Sequence, residues 1–103
     1  MFKMMILLKK KQTLTDEEFV KYWLERHAPM AKKMPGLRKY VVNVVKRPPS
    51  REPDYHGVVE LWFDDPACMK KAFASPEGAA IQKDTEAFTA SSTTMYIDEH
   101  AIV

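Results

Sequence analysis

His27 is the side chain in this 103-residue sequence best placed to move a proton. It comes four residues after Trp23 and eight after Phe19, a spacing that sets it on the apolar stripe of a helix rather than on the wet face. Burial there disfavours the imidazolium, while the nearby C-terminal end of the helix favours it. The balance gives an imidazole that titrates near neutrality, suited to general acid–base work. A core histidine bonded to a carbonyl freed by Pro29 is the alternative. Glu60 stands out because it alone interrupts the apolar run from Val58 to Phe63. An unpaired carboxylate on an apolar sheet face has a raised pKa and serves as an acid or base; a Lys or Arg on a neighbouring strand would make it an ion pair instead. Tyr40, Asn43 and Trp62 could line the same interior, Tyr and Asn orienting a polar group and Trp stacking on it. Each is equally at home as a core or interface residue. Asp84, four residues before Phe88, reads from its own surroundings as a solvated helix acid.

Other chemistries find little purchase. His27, His56 and His100 form no recurring metal-ligand spacing, so no metal is expected. Three glycines make no phosphate-cradling loop, and no serine nucleophile elbow is present. Cys68 lacks a basic neighbour on its own helix face and reads as a small hydrophobe.

These residues need elements to hold them. Phe2 to Leu8 reads as a strand covered on both sides, with Lys9 to Leu14 as the turn out. Thr15 with Glu18 is a capping box, opening an amphipathic helix through Phe19, Val20, Trp23, Leu24, Met30 and Met34. Pro29 predicts a kink or restart near Ala28, and Pro35-Gly36 ends the helix. Leu37 to Lys46 is a β-branched strand, followed by a loop at Pro48, Pro49, Ser50 and Pro53. His56 to Phe63 alternates, with Val59, Leu61 and Phe63 opposite Val58, Glu60 and Trp62. Asp65-Pro66 starts a second helical region, Ser75 to Gly78 breaks it, Ala79 to Phe88 resumes it, and Thr93 to Ile97 is a last strand. The order β-α-β-β-α-β predicts an α+β, ferredoxin-like fold: a four-stranded antiparallel sheet with both helices on one face.

Sixteen Lys and Arg against 14 Asp and Glu leave a net charge of +2, too weak to imply nucleic acid. The order is shared with RNA-recognition modules, but Val58 and Glu60 hold the positions where bases would stack on aromatics. A hydrophobic fraction of 46% fits one globular domain over residues 1–103, with little room for a deep private pocket. The longest apolar run, Met4 to Leu8, is too short to cross a bilayer, and no secretory leader is read at the N-terminus. With one cysteine, the expectation is a cytoplasmic protein. The second sheet face is apolar enough to require a cover, and a second copy is the economical one: a homodimer, sheet against sheet, closing a shared barrel-like interior.

The string Phe19-x-x-Tyr22-Trp23-x-x-x-His27-Ala28-Pro29, then Met34-Pro35-Gly36-Leu37-x-x-Tyr40, then Gly57-x-x-Glu60-Leu61-Trp62-Phe63, then Ala72-Phe73-x-Ser75-Pro76-Glu77-Gly78 and Asp84-x-x-x-Phe88, resembles the EthD family, named for a gene cluster that degrades ethyl tert-butyl ether. The resemblance covers nearly the whole chain. It implies a dimeric α+β barrel and places the family's helix histidine at His27. Taken with the reading of the residues themselves, the expected site has His27 and Glu60 as catalytic residues and Trp23, Tyr40, Asn43, Trp62 and Asp84 as substrate-binding residues. The wider superfamily includes methylmuconolactone methylisomerases, which use cysteine chemistry where this chain has only Cys68. It also includes polyketide dehydratases and decarboxylases, cofactor-free quinone-forming monooxygenases and haem-degrading enzymes. The expectation is a cofactor-independent enzyme, an isomerase, lyase or oxidoreductase of aromatic or ether catabolism. It would bind a small hydrophobic oxygenated ring compound in the barrel. The alternative is a non-catalytic dimer that carries such a metabolite.

Overall fold

The computed structural model describes residues 1–103. Strands β1 (Phe2–Lys10), β2 (Lys39–Val44), β3 (Gly57–Phe63) and β4 (Thr89–Ile97) form one antiparallel sheet in the order β2-β3-β1-β4. The register aligns Met4 with Leu61 and Tyr96, and Leu61 with Tyr40, so these four side chains share one face. One step along, Met5, Glu60, Val41 and Met95 share the other. The ferredoxin-like architecture expected from the order of elements is the one observed.

Helix α1 (Asp16–Tyr22) begins at the anticipated capping box: Glu18 N–H donates to Thr15 Oγ1 at 3.0 Å, and Thr15 N–H donates to Glu18 Oε1 at 2.9 Å. Pro29 was expected to kink or restart the helix near Ala28. It does restart there: a π-helical turn over Trp23–His27 interrupts the winding, and α2 (Ala28–Ala31) begins at Ala28. The physical reason is the proline itself. It offers no N–H to Glu25, and its ring would strike that carbonyl, so the backbone widens by one residue and Ala28 N–H bonds Trp23 instead. Gly36, at φ 81°, supplies the left-handed residue that ends the segment. Helices α3 (Pro66–Ala74) and α4 (Pro76–Phe88) are capped by Asp65, which accepts from Cys68 N–H, and Ser75, which accepts from Gly78 N–H.

The helices cover the face carrying Met4, Leu8, Val59, Leu61 and Phe63, and the core forms there with Phe19, Trp23, Met69, Ile81 and Phe88. Trp23 lies directly on Gly57, where a Cβ would approach its ring to 2.3 Å, so only glycine allows this contact. Several boundaries differ from the sequence reading. β1 runs on to Lys10 through an irregularity at Lys9/Lys10, β2 is trimmed to Lys39–Val44, and α4 starts at Pro76. β4 starts at Thr89, directly after α4. Its Thr and Ser residues hide the strand from a search for apolar alternation, because it is an exposed edge. No helix is long and apolar enough to cross a membrane.

Candidate active site

Between the sheet and the helices lies a cavity of about 520 Å³, within the range of small-molecule sites. Its walls are mostly apolar, with Met4, Leu61, Met69 and Phe73 prominent. Small residues make the room: Ala31 on the helix side, Ser92 and Thr94 on β4. One chain alone lines this space, and the exposed Gln82, Glu86, Ser92, Thr94 and Tyr96 leave it open on one side.

His27 is buried and lines this cavity. Its Nδ1 lies 2.8 Å from Asp84 Oδ2. A carboxylate only accepts, so the proton sits on Nδ1 and Nε2 carries the free lone pair. Nε2 has no protein partner, and no buried polar side-chain atom is left unpartnered, so Nε2 is open to the cavity. Tyr22 donates its hydroxyl to Asp84 Oδ1 at 2.6 Å. Asp84 thus has one oxygen committed to each partner and cannot swing away from the imidazole. Burial pushes the His27 pKa below the ordinary imidazole value of 6.5, against the opposing pull of Asp84, so the neutral base prevails at pH 7. The bond to Asp84 raises the Tyr22 pKa and keeps its proton in place. Phe88 packs under the group, its ring 4.8 Å from His27 and stacked at 5.2 Å on Tyr22.

Tyr40 reaches the same cavity from β2. Trp23 Nε1–H donates to its hydroxyl oxygen at 3.4 Å, which leaves the Tyr40 proton free to be donated elsewhere. Burial raises the Tyr40 pKa, so it remains a phenol.

A family model described as the EthD domain matches residues 11–92. The chain belongs to the EthD family. It is similar over 97% of its length, at 28% identity and a TM-score of 0.81, to the whole of a crystallised EthD family protein from Bacillus halodurans. It is 24% identical over 86 residues to an uncharacterised 11.0 kDa protein of Rhodococcus erythropolis, from the thcB-thcC intergenic region. That match covers 82% of this chain and 84% of the relative. Two further structures share the fold alone. One is a dimeric ferredoxin-like protein of unknown function from Bacteroides fragilis, at 17% identity, TM-score 0.71 and 95% of both chains. The other is SnoaB of Streptomyces nogalater, described as a cofactor-independent oxygenase, at 14% identity, TM-score 0.67, 98% of this chain and 96% of that one.

The EthD domain divides the residues singled out from sequence into two groups. His27, Trp23, Tyr40 and Asp84 gather on the helix-covered face. Glu60, Asn43 and Trp62 lie on the opposite face, because β3 and β2 alternate and these positions are out of phase with Leu61 and Tyr40. Glu60 therefore does not join His27 as an acid–base partner. It is paired with Lys3 Nζ at 2.8 Å and accepts from Asn43 Nδ2 at 2.9 Å, and these contacts hold its carboxyl below the ordinary 4.5. Asn43 is occupied by that bond and one to the Val58 carbonyl, and the Trp62 ring is flanked by Lys3 and Lys39. Asp84, read from sequence as a solvated acid, is the partner of His27 in place of a carbonyl freed by Pro29. Tyr22 is the residue that sequence reasoning missed. Five residues from His27, it would lie about 140° away around a regular helix. The wide turn brings both to Asp84, and Pro29 was the signal that the winding had to change. No three His, Cys, Asp or Glu side chains are grouped so as to hold a metal ion.

Proposed function

We propose that this EthD domain is an enzyme that moves a proton on a small oxygenated ring compound bound between its sheet and helices. The observation that carries this reading is the two-sided imidazole: Nδ1 committed to Asp84, Nε2 bare toward the cavity. His27 Nε2 takes a proton from a carbon or hydroxyl next to a carbonyl. The charge that develops on the substrate oxygen is met by the Tyr40 hydroxyl, whose own oxygen is held by Trp23. Asp84 fixes the tautomer and stabilises the imidazolium that forms, and Tyr22 fixes Asp84. Returning the proton to a different atom completes an isomerisation; loss of a leaving group makes the reaction an elimination. That SnoaB is described as a cofactor-independent oxygenase supports unaided substrate chemistry on this fold, by analogy of fold alone.

The test is deuterium exchange. Cyclic ketones and aromatic lactones are incubated with the protein in heavy water, and exchange at the carbon beside the carbonyl is read by mass spectrometry. Exchange by the native chain, slowed at least about 100-fold in His27→Gln, is the expected result. Exchange at the native rate in His27→Gln refutes the role of His27; binding without any exchange favours a carrier.

The chain also pairs with a second copy through the open sheet face. Met5, Leu7, Val41, Val58 and Trp62 stand there half-buried with no element over them. The dimeric description of the Bacteroides fragilis structure supports the pairing. Light scattering behind a sizing column checks it, and a monomer at micromolar concentration refutes it.

A further inference from the structure

The chain carries 16 Lys and Arg side chains, and none of them lines the cavity. They lie elsewhere: Lys3 and Lys39 flank Trp62 on the opposite sheet face, Lys10 and Arg47 gather around Asp16, and Arg38 bonds Asp64. The one charged side chain of the lining is negative, and a second carboxylate stands behind the lining. Asp84 stands directly behind the His27 ring on α4, and Glu86, two residues on, is an exposed residue of the lining. The remaining polar groups of the lining are neutral; Tyr40 on β2 is the half-buried donor, and Ser92, Thr94 and Tyr96 bring hydroxyls from β4.

We propose that this charge pattern is a substrate filter: the site takes molecules that are uncharged at their buried end, such as ketones, lactones, quinones or phenols, and excludes carboxylates and phosphates. The proposal rests on the cavity being the substrate site, as argued above, and adds the class of molecule it admits. Placing an anion in an apolar space without a cation is costly, and two carboxylates nearby raise that cost. One escape is open to an anion, which is to bring a proton with it and pair with a protonated His27. That pairing consumes the lone pair that the reaction needs, and it weakens as the pH rises. The groups facing His27 from the surrounding elements are Asp84 on α4, Tyr22 on α1, which is committed to Asp84, and Tyr40 on β2. Glu86, on the lining, is the remaining charge of one sign, and no cation offsets it. A neutral ligand meets none of these penalties and leaves His27 a base.

Matched probes test the filter. Titration calorimetry of the full chain with 2-naphthol and with 2-naphthoate, alike in shape, is run at about pH 6, 7 and 8. Naphthol is expected to bind with an affinity that varies less than about twofold over the range. Naphthoate is expected to bind at least about tenfold more weakly at pH 7, and several-fold more weakly again at pH 8. Glu86→Gln, on the exposed surface, narrows the gap between the probes. Thr94→Trp, also at an exposed position, obstructs the mouth and weakens naphthol. Naphthoate binding as tightly as naphthol at pH 8, or neither probe binding, overturns the proposal, and so does naphthol binding that Thr94→Trp leaves unchanged. His27→Gln separates this outcome from the reading it rests on. If deuterium exchange survives that substitution, proton transfer by His27 is refuted, while the preference for naphthol stands or falls on the calorimetry.

Discussion

The two faces of the sheet hold their polar groups on opposite terms. On the open face, Glu60 is closed in by partners: Lys3 on β1, Asn43 on β2, and Glu99 sharing the Lys3 amine from the other side. The Glu60 charge there is answered by the Lys3 charge, and its other oxygen is taken by Asn43. On the helix-covered face, His27 is answered on one nitrogen and left bare on the other. A saturated network fixes geometry and has no capacity for a ligand, whereas a half-saturated one is held in place and still reactive. Residue type alone does not reveal the difference, since Glu60 and His27 both interrupt apolar patterns. What distinguishes them is how many of their polar atoms the fold has used.

The sharpest way to break this contrast is to remove one residue from each face. His27→Gln should lower turnover about 10²- to 10⁴-fold, while Glu60→Gln should leave it within about twofold, both read as kcat/KM on a substrate found by deuterium exchange. Equal losses would make the open face part of the chemistry. Next in size, Asp84→Asn should cost about 10- to 100-fold, because an amide can present either a donor or an acceptor to Nδ1 and no longer fixes the tautomer. Lys3→Met should leave turnover alone and lower unfolding stability by about 1–3 kcal/mol, since Glu60 loses the amine that keeps it charged. Among the residues of the helix-covered face the smallest effect is expected of Tyr22→Phe, about 3- to 10-fold in kcat with little change in KM, because one hydrogen bond behind the carboxylate is lost.

Acid should separate the faces as well. The folded state holds the His27 pKa below 6.5, so on acidification through 6.5 the unfolded chain binds a proton first and stability begins to fall. Glu60 is held below 4.5, so its contribution is full above that value and is lost only as the pH drops below it. Denaturant titrations across pH should show two steps, the upper one missing in His27→Gln and the lower one reduced in Glu60→Gln. A single unchanged step in both variants would contradict the assignment.

The readable parts of the fold were those with a regular period. β3 alternates cleanly and its two faces are as expected, and the capping box at Thr15 marks the start of α1. The site was harder to read, for two reasons. Asp84 meets His27 across 57 residues of chain, and nothing local in the helix Pro76–Phe88 distinguishes it from a solvated acid. Glu60 was drawn into the site because an acid in an apolar strand looks unpaired until the register brings Lys3 near it. Tyr22 was lost to the assumption that a helix turns uniformly by about 100° per residue.

That last point gives the turn at Trp23–His27 a genetic meaning. The alignment of Tyr22 with His27 is written as a number of residues, not as any one side chain. Inserting one further residue within the turn would keep Tyr22, His27 and Asp84 in the chain, yet rotate His27 by about 100° relative to Tyr22, whereas deleting one would return the pair to the four-residue spacing that shares a face on a regular helix. In most helices facing solvent such an insertion is absorbed at the nearest loop. Here it would silence the site as thoroughly as removing the histidine, and helix length between Tyr22 and Pro29 becomes a feature by which a working copy can be told from a broken one.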